Sequence, residues 1–227
     1  MSKQLFITGT GTDVGKTYVA GLIVKKLHDA GLSCGYYKAA MSGNIHDENG
    51  NLIPGDAKFV KDISNINQDL ASMCPYVYET AVSPHLASRL EGNPVDLNVV
   101  KQGLDIVSNT YEYVTLEGSG GILCPIDYDS KKLWLWEMIK EFDCPTIIVA
   151  DAGLGTINSV GLTAEFMKNR NIPIKGIIMN HYHTGDVMEE DNIKMCEELT
   201  GIPVIAKVSD GSTDLDIDVN LLASLYG

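Results

Sequence analysis

The sequence predicts an α/β fold: a doubly wound, mostly parallel sheet with helices on both faces. Three observations carry that expectation. Short apolar runs alternate with stretches of helical periodicity along all 227 residues. Several of those runs are near-continuous rather than alternating, as strands covered on both faces require. The first run also passes through a glycine-rich segment straight into a helical stretch, the strand–loop–helix order of a phosphate-binding loop.

Strands are expected at 4–8, 34–38, 112–116, 146–150, 174–179 and 203–206. Helices are expected at 16–29, 56–63, 84–90, 96–108, 133–141, 157–169, 187–199 and 218–225. Within 157–169, Ile157, Val160, Ala164 and Met167 recur at helical spacing and form one packing face. No repeat, low-complexity stretch or interdomain linker interrupts the pattern, so residues 1–227 read as a single P-loop NTPase-like domain. The longest expected loop is 39–55, rich in Gly and Asn, and a loop of that length in a compact domain is usually functional or mobile.

The glycine-rich segment is Gly9-Thr10-Gly11-Thr12-Asp13-Val14-Gly15-Lys16-Thr17. Backbone N–H groups of such a loop converge on phosphate oxygens, and the helix that follows adds the positive end of its dipole. Lys16 then reaches the outer phosphates, and the Thr17 hydroxyl is placed to ligate magnesium. Five residues separate Gly9 from Gly15, one more than the common NTPase pattern has before its Gly-Lys, which narrows the family.

Bulk properties limit the partners. A formal charge of −13 argues against duplex nucleic acid and anionic membranes, which need clustered Lys and Arg. No uncharged apolar run approaches the ~20 residues of a membrane span. The first residues run straight into a core strand, so no signal peptide is expected. The five cysteines, Cys34, Cys74, Cys124, Cys144 and Cys196, are scattered, which suits free thiols in a reducing cytoplasm better than disulfides or a zinc site.

Polar residues cluster where strands of this architecture end and ligands bind. Lys38 closes the second strand and points a second cation toward the phosphates. Glu117 follows the third and leads into Gly118-Ser119-Gly120-Gly121, a turn whose backbone a ligand can approach closely. Asp56 opens the helix after the long loop. Thr17, Asp56 and Glu117 together compose an oxygen-ligand magnesium site. Each has a plainer alternative: Asp56 as a helix N-cap, Glu117 as a solvated strand end, Lys38 as a surface lysine. His85, His181 and His183 show no ligand spacing, and Trp134 and Trp136 read as packing residues.

The extended loop, Tyr37-Lys38 with Ser42-Gly43, Ser83-Pro84-His85, Glu117-Gly118-Ser119-Gly120-Gly121 and Leu154-Gly155-Thr156-Ile157-Asn158 occur in one order. From Gly9 to about Asn180 the chain resembles the dethiobiotin synthetase family. That resemblance implies a homodimer converting 7,8-diaminononanoate, CO2 and ATP, with Mg2+, into dethiobiotin, ADP and phosphate. It implies a nucleotide site of Gly11, Thr12, Asp13, Val14, Gly15, Lys16 and Thr17, with Asn180 contacting adenine. Lys38, Lys16 and Thr12 would take part in catalysis, and Thr17, Asp56 and Glu117 would hold the metal. Ser42, Lys38 and Gly120 would meet the substrate, and Gly155, Thr156, Ile157 and Asn158 of the partner subunit would receive its carboxylate.

The chain departs from that pattern at Ala39, where proline is frequent, at Ser159, where histidine is frequent, and in Ala206-Lys207-Val208-Ser209-Asp210-Gly211, the segment beside the base. Two other readings share the motif. A partition-type ATPase switch usually carries an extra lysine early in the loop, where Thr10 and Gly11 stand here. A related ligase acting on another carboxylate or diamine would differ at Ser42 and 154–158.

Overall fold

The computed structural model describes residues 2–227. Six parallel strands form the central sheet: β1 (Lys3–Gly9), β2 (Cys34–Lys38), β3 (Tyr113–Glu117), β4 (Thr146–Asp151), β5 (Ile174–Asn180) and β6 (Val204–Lys207). Their order is β6-β5-β4-β1-β3-β2. The chain leaves β1 toward one side of the sheet and crosses to the other at β4, so the loop after β1 lies where ligands gather in open α/β sheets. All six expected strands form; the first five are runs whose side chains are mostly buried, whereas β6, at the border of the sheet, buries only Ala206 fully.

Helices cover both faces: α1 (Lys16–Asp29), α2 (Gly55–Ser64), α3 (Leu70–Met73), α4 (Pro84–Glu91), α5 (Leu97–Thr110), α6 (Leu135–Phe142), α7 (Thr156–Lys168), α8 (Val187–Thr200) and α9 (Val219–Ser224). Strand alternation divides the core. Leu5, Ile7, Tyr36 and Tyr113 pack with Val19, Leu22, Ile23 and Leu27 of α1 and Val60 of α2. Phe6, Tyr37, Val114 and Leu116 pack on the opposite face with Leu104 of α5, Met138 of α6 and Val160, Ala164 and Met167 of α7. Ile157 is only partly buried at the margin of that second cluster.

Three expectations need correction. The stretch 39–55 is not an open loop: Ala40–Met41 pairs in parallel with Tyr76–Val77, and Ile45–His46 forms a hairpin with Leu52–Ile53. The helix expected from 133 starts at Leu135, because Leu133–Trp134 pairs with Pro125–Asp127. Its true start is marked by Glu137, whose carboxylate accepts from the Trp134 N–H at 2.9 Å. Finally α3, which no expectation included, begins at Asp69, whose side chain accepts from the Ala71 N–H.

β2 is the outer strand of the sheet. Beyond it the buried Gln68 side chain takes the place of a further strand: Oε1 accepts from the Tyr36 N–H at 2.8 Å and Nε2 donates to the Tyr36 carbonyl at 3.0 Å.

Candidate active site

The phosphate loop connects β1 to α1 through two residues in the left-handed region, Asp13 (φ 60°) and Gly15 (φ 83°). Gly15 stands at the N-cap of α1, and no side chain caps that end. The N–H groups of the first turn are therefore left for an anion. Gly9 permits the loop to fold back, since a Cβ there would lie 2.9 Å from Val14 Cγ2 and 3.0 Å from Lys16 Cδ. Lys16 Nζ donates to the Gly11 carbonyl at 2.7 Å. Burial, and next the neighbouring Lys38 cation, hold the Lys16 pKa below the ordinary lysine value.

Beside the loop lies a cleft of about 800 Å³, lined among others by Thr12, Asp13, Gly15, Lys16, Thr17, Lys38, Ser42, Asp56, Glu117 and Gly120. At its floor Lys38 Nζ donates to Asp56 Oδ2 at 2.6 Å and to Glu117 Oε1 at 2.5 Å. Lys38 and Glu117 are register partners across β2 and β3, and α2 brings Asp56 over them. The same Oε1 accepts from Thr17 Oγ1 at 2.8 Å. Burial pulls the Lys38 pKa down, but the Glu117 and Asp56 carboxylates outweigh it, leaving the ammonium above its ordinary range. For Asp56 burial works upward, and the Lys38 ammonium overcomes it, so the carboxyl sits below its usual value.

The plainer readings of these three residues fail on geometry. Asp56 is not a cap: Pro54 holds the N-cap of α2, and Asp56 lies in the first turn facing Lys38. Glu117 is 1% exposed and Lys38 5%, so neither is a solvated surface residue.

The structure brings Thr12, Asp13, Gly15, Lys16, Thr17, Lys38, Ser42, Asp56, Glu117 and Gly120 to one cleft. Ser42 Oγ donates to the Val82 carbonyl at 2.5 Å, on the side of the cleft closed by Ser83 and Pro84. Asn180 lies behind the loop: its Nδ2 donates to the Val14 carbonyl at 3.2 Å, while its buried Oδ1 has no partner. Gly155, Thr156, Ile157 and Asn158 do not line the cleft. They form the start of α7, where Gly155 (φ 93°) again leaves an uncapped helix end, in contrast to the aspartate-capped starts of α5, α8 and α9. Leu154 just before it is 91% exposed.

Two supporting residues were not among those singled out in the sequence. Tyr36 Oη donates to Glu117 Oε2 at 2.7 Å from a fully buried position. Burial, reinforced by the Glu117 charge, raises its pKa well above the ordinary phenol value, so it remains a neutral donor. Asn44 joins the base of the hairpin to α2: Nδ2 donates to the Met41 and Tyr78 carbonyls at 3.0 and 2.8 Å, and Oδ1 accepts from the Gly55 N–H at 2.8 Å. The period-2 placement of Tyr36 on the Lys38 face of its strand was a usable signal for the first. Nothing local in the sequence signals the second.

The histidines behave as side chains with local partners: His181 Nδ1 lies 2.7 Å from Asp151, His183 Nδ1 2.9 Å from Glu189 and His85 Nδ1 3.0 Å from Ser83 Oγ. All five cysteines are free thiols. Among the described residues no helix is long and apolar enough to cross a membrane.

Residues 3–213 match the model of a protein family described as an AAA domain. The chain is 46% identical over 217 residues to an ATP-dependent dethiobiotin synthetase of Brachyspira hyodysenteriae, covering 95% of this chain and 96% of that one. It is 43% identical over 226 residues to an ATP-dependent dethiobiotin synthetase of Clostridium botulinum, covering 100% and 99%. Among solved structures it is similar to a ParA family ATPase from Chlorobium tepidum (TM-score 0.53, 15% identity, 91% of this chain and 83% of that one). It is also similar to a chain of the MinC:MinD cell division complex of Aquifex aeolicus (TM-score 0.57, 12% identity, 98% and 86%). At those identities the two structures speak for the P-loop α/β fold alone.

Proposed function

The chain belongs to the ATP-dependent dethiobiotin synthetase family, and on that premise we propose how its cleft performs the ligation. The reaction consumes 7,8-diaminononanoate, CO2 and ATP and yields dethiobiotin, ADP and phosphate. One amine of the substrate takes up CO2 and loses a proton, giving a carbamate. A carbamate oxygen attacks the γ-phosphorus, the bond to the ADP oxygen breaks, and a carbamic–phosphoric anhydride forms. The second amine attacks the carbamoyl carbon, phosphate departs with the electron pair and takes up the proton the amine gives off, and the ureido ring closes.

The observation that carries this reading is Lys38: a buried ammonium between two carboxylates, at the floor of a cleft that the phosphate loop and Ser42 also line. A carbamate and a triphosphate repel each other, so their approach needs fixed cations between them. Lys38 suits the space between carbamate and γ-phosphate, Lys16 the outer phosphates, and Thr12 the loop edge facing them. Gly11, Asp13, Val14, Gly15 and Thr17 contribute backbone N–H groups around the phosphates, and Asn180 serves the adenine side with its unpartnered Oδ1. Ser42 and Gly120 line the diamine's side of the cleft. Positioning and charge, rather than covalent catalysis by a side chain, supply the rate.

Thr17, Asp56 and Glu117 fit a magnesium ion. They offer oxygens only, Thr17 and Lys38 already converge on one oxygen of Glu117, and such a sparse donor set suits a cation that keeps water and phosphate ligands. Bound there, Mg2+ would neutralise phosphate charge.

The start of α7 lies outside the cleft of its own chain, and its uncapped N–H groups suit a carboxylate. We therefore read the enzyme as a homodimer in which Gly155, Thr156, Ile157 and Asn158 of one subunit hold the diamine's carboxylate at the other's cleft. The exposed Leu154, Leu162, Val187 and Leu199 support contact through α7 and α8. We read residues 1–227 as one domain and, on the five free thiols, the protein as cytoplasmic. The test is ADP release with and without 7,8-diaminononanoate and bicarbonate. Turnover that requires both and yields a cyclic urea is expected; hydrolysis indifferent to the diamine would overturn the reading.

A further inference from the structure

Glu117 is the most enclosed charged group of the cleft floor, with a side chain 0% exposed. A carboxylate so buried requires donors on both oxygens. They are divided unequally. Oε1 faces the cleft and accepts from Thr17 and Lys38, at 2.8 and 2.5 Å. Oε2 faces the core and accepts from Tyr36 Oη at 2.7 Å. Tyr36 and Lys38 lie on one face of β2, in register with Thr115 and Glu117 of β3, so the phenol reaches the back of the carboxylate whose front meets the ammonium. Tyr36 is itself immobilised: Gln68 holds its N–H and its carbonyl, and the ring is 0% exposed.

We propose that Tyr36 is a positioning residue for this reaction: its hydroxyl fixes Glu117 Oε2, so that the carboxylate turns Oε1 alone toward Thr17, Lys38 and the nucleotide-bound cation. The inference rests on the assignment of Glu117 to the metal. Without the phenol, Oε2 has no other donor among the described residues, and the carboxylate is free to rotate about its last bond or to bind a cation through both oxygens. Groups that orient a metal ligand from behind typically change affinity about 10–100-fold when removed.

The test uses Tyr36→Phe, which keeps the ring and deletes only the donor, with manganese binding followed by electron paramagnetic resonance in the presence of ADP. The expected result is manganese affinity weakened about 10-fold, with ADP affinity measured without metal unchanged. On a Glu117→Gln background the added effect of Tyr36→Phe should fall below about twofold, because a residue acting through Glu117 has nothing left to orient. Should Tyr36→Phe fail to fold, Tyr36→Met lacks the same donor, adapts to the gap and carries the same expectation. Unchanged manganese affinity in either variant, or an equal loss on the Glu117→Gln background, would overturn the proposal and leave Tyr36 a core tyrosine. Glu117→Gln alone separates the two levels: if it weakens manganese binding, only the role of Tyr36 has failed. If it too has no effect, the metal assignment beneath the proposal falls as well.

Discussion

Asn180 occupies the space where a side chain at Gly15 would have to go: a Cβ built there would lie 2.0 Å from Asn180 Nδ2. The end of β5 thus supports the phosphate loop from behind, and the loop's left-handed turn and the side chain beneath it require one another. Gly15→Ala combines a strained φ with that clash. It should cost about 1–3 kcal/mol of stability and weaken nucleotide binding, measurable by thermal unfolding and ADP titration. A variant that melts like the wild type would mean the loop relaxes without penalty.

Lys16 is held below its ordinary pKa by burial and by Lys38, so its charged form is disfavoured in the folded chain. That penalty applies below its folded pKa and is relieved as pH rises through it. Lys16→Met should therefore leave the melting temperature of the nucleotide-free protein unchanged or raised, while lowering kcat by at least about 100-fold. Near-normal turnover would remove Lys16 from the phosphate site.

Lys38 and Asp56 shift in opposite directions, and each shift favours the charged pair. The contribution of Asp56 is present above its unfolded pKa, about 3.9, and is lost as pH falls through the lower folded value. That of Lys38 is complete below about 10.4 and is lost only as pH rises through its raised folded value. The destabilisation caused by Lys38→Met should be largest near pH 7 and shrink toward pH 3, as read by urea midpoints. A difference independent of pH would mean that packing rather than charge holds Lys38.

Asn44→Ala removes three hydrogen bonds, two of them buried, that tie the hairpin base to the start of α2. A loss of about 2 kcal/mol or more is expected, together with reduced kcat, because Asp56 follows Gly55 directly. Stability lost with kcat intact would show that α2 holds Asp56 unaided.

Asn158→Ala should raise KM for the diamine more than for ATP. If Asn158 serves the partner's cleft, mixing this variant with Lys16→Ala protomers regenerates one intact site per mixed dimer. At low diamine the mixture should then recover about a quarter of wild-type activity from random pairing. Equal effects on both KM values, or no recovery on mixing, would detach the start of α7 from the substrate.

The sheet was legible because continuous apolar runs such as Thr146-Ile147-Ile148-Val149-Ala150 have few alternatives to a buried strand. The cleft was legible because its chemistry sits at strand ends and in a motif with a fixed physical context. What escaped were contacts between distant parts of the chain. Tyr36 reads as one more strand tyrosine until β3 brings Glu117 against it, and Asn44 as one more loop asparagine until Tyr78 and Gly55 converge on it. Two-residue pairings such as Ala40–Met41 with Tyr76–Val77 are too short to leave a period. The Asp69 cap of α3 was present in the sequence, but four residues of helix carry no repeat to support it.

The Gln68 amide has a consequence for how the molecule meets others of its kind. The strand that bears Lys38 is also the border of the sheet, and an unprotected border invites a foreign strand. By answering both the N–H and the carbonyl of Tyr36, a single side chain withholds from any visitor the donor and acceptor it would need there. Recruitment into a shared sheet at that point would first have to evict Gln68, so protection against aggregation and the fixed placement of Tyr36 rest on the same two hydrogen bonds.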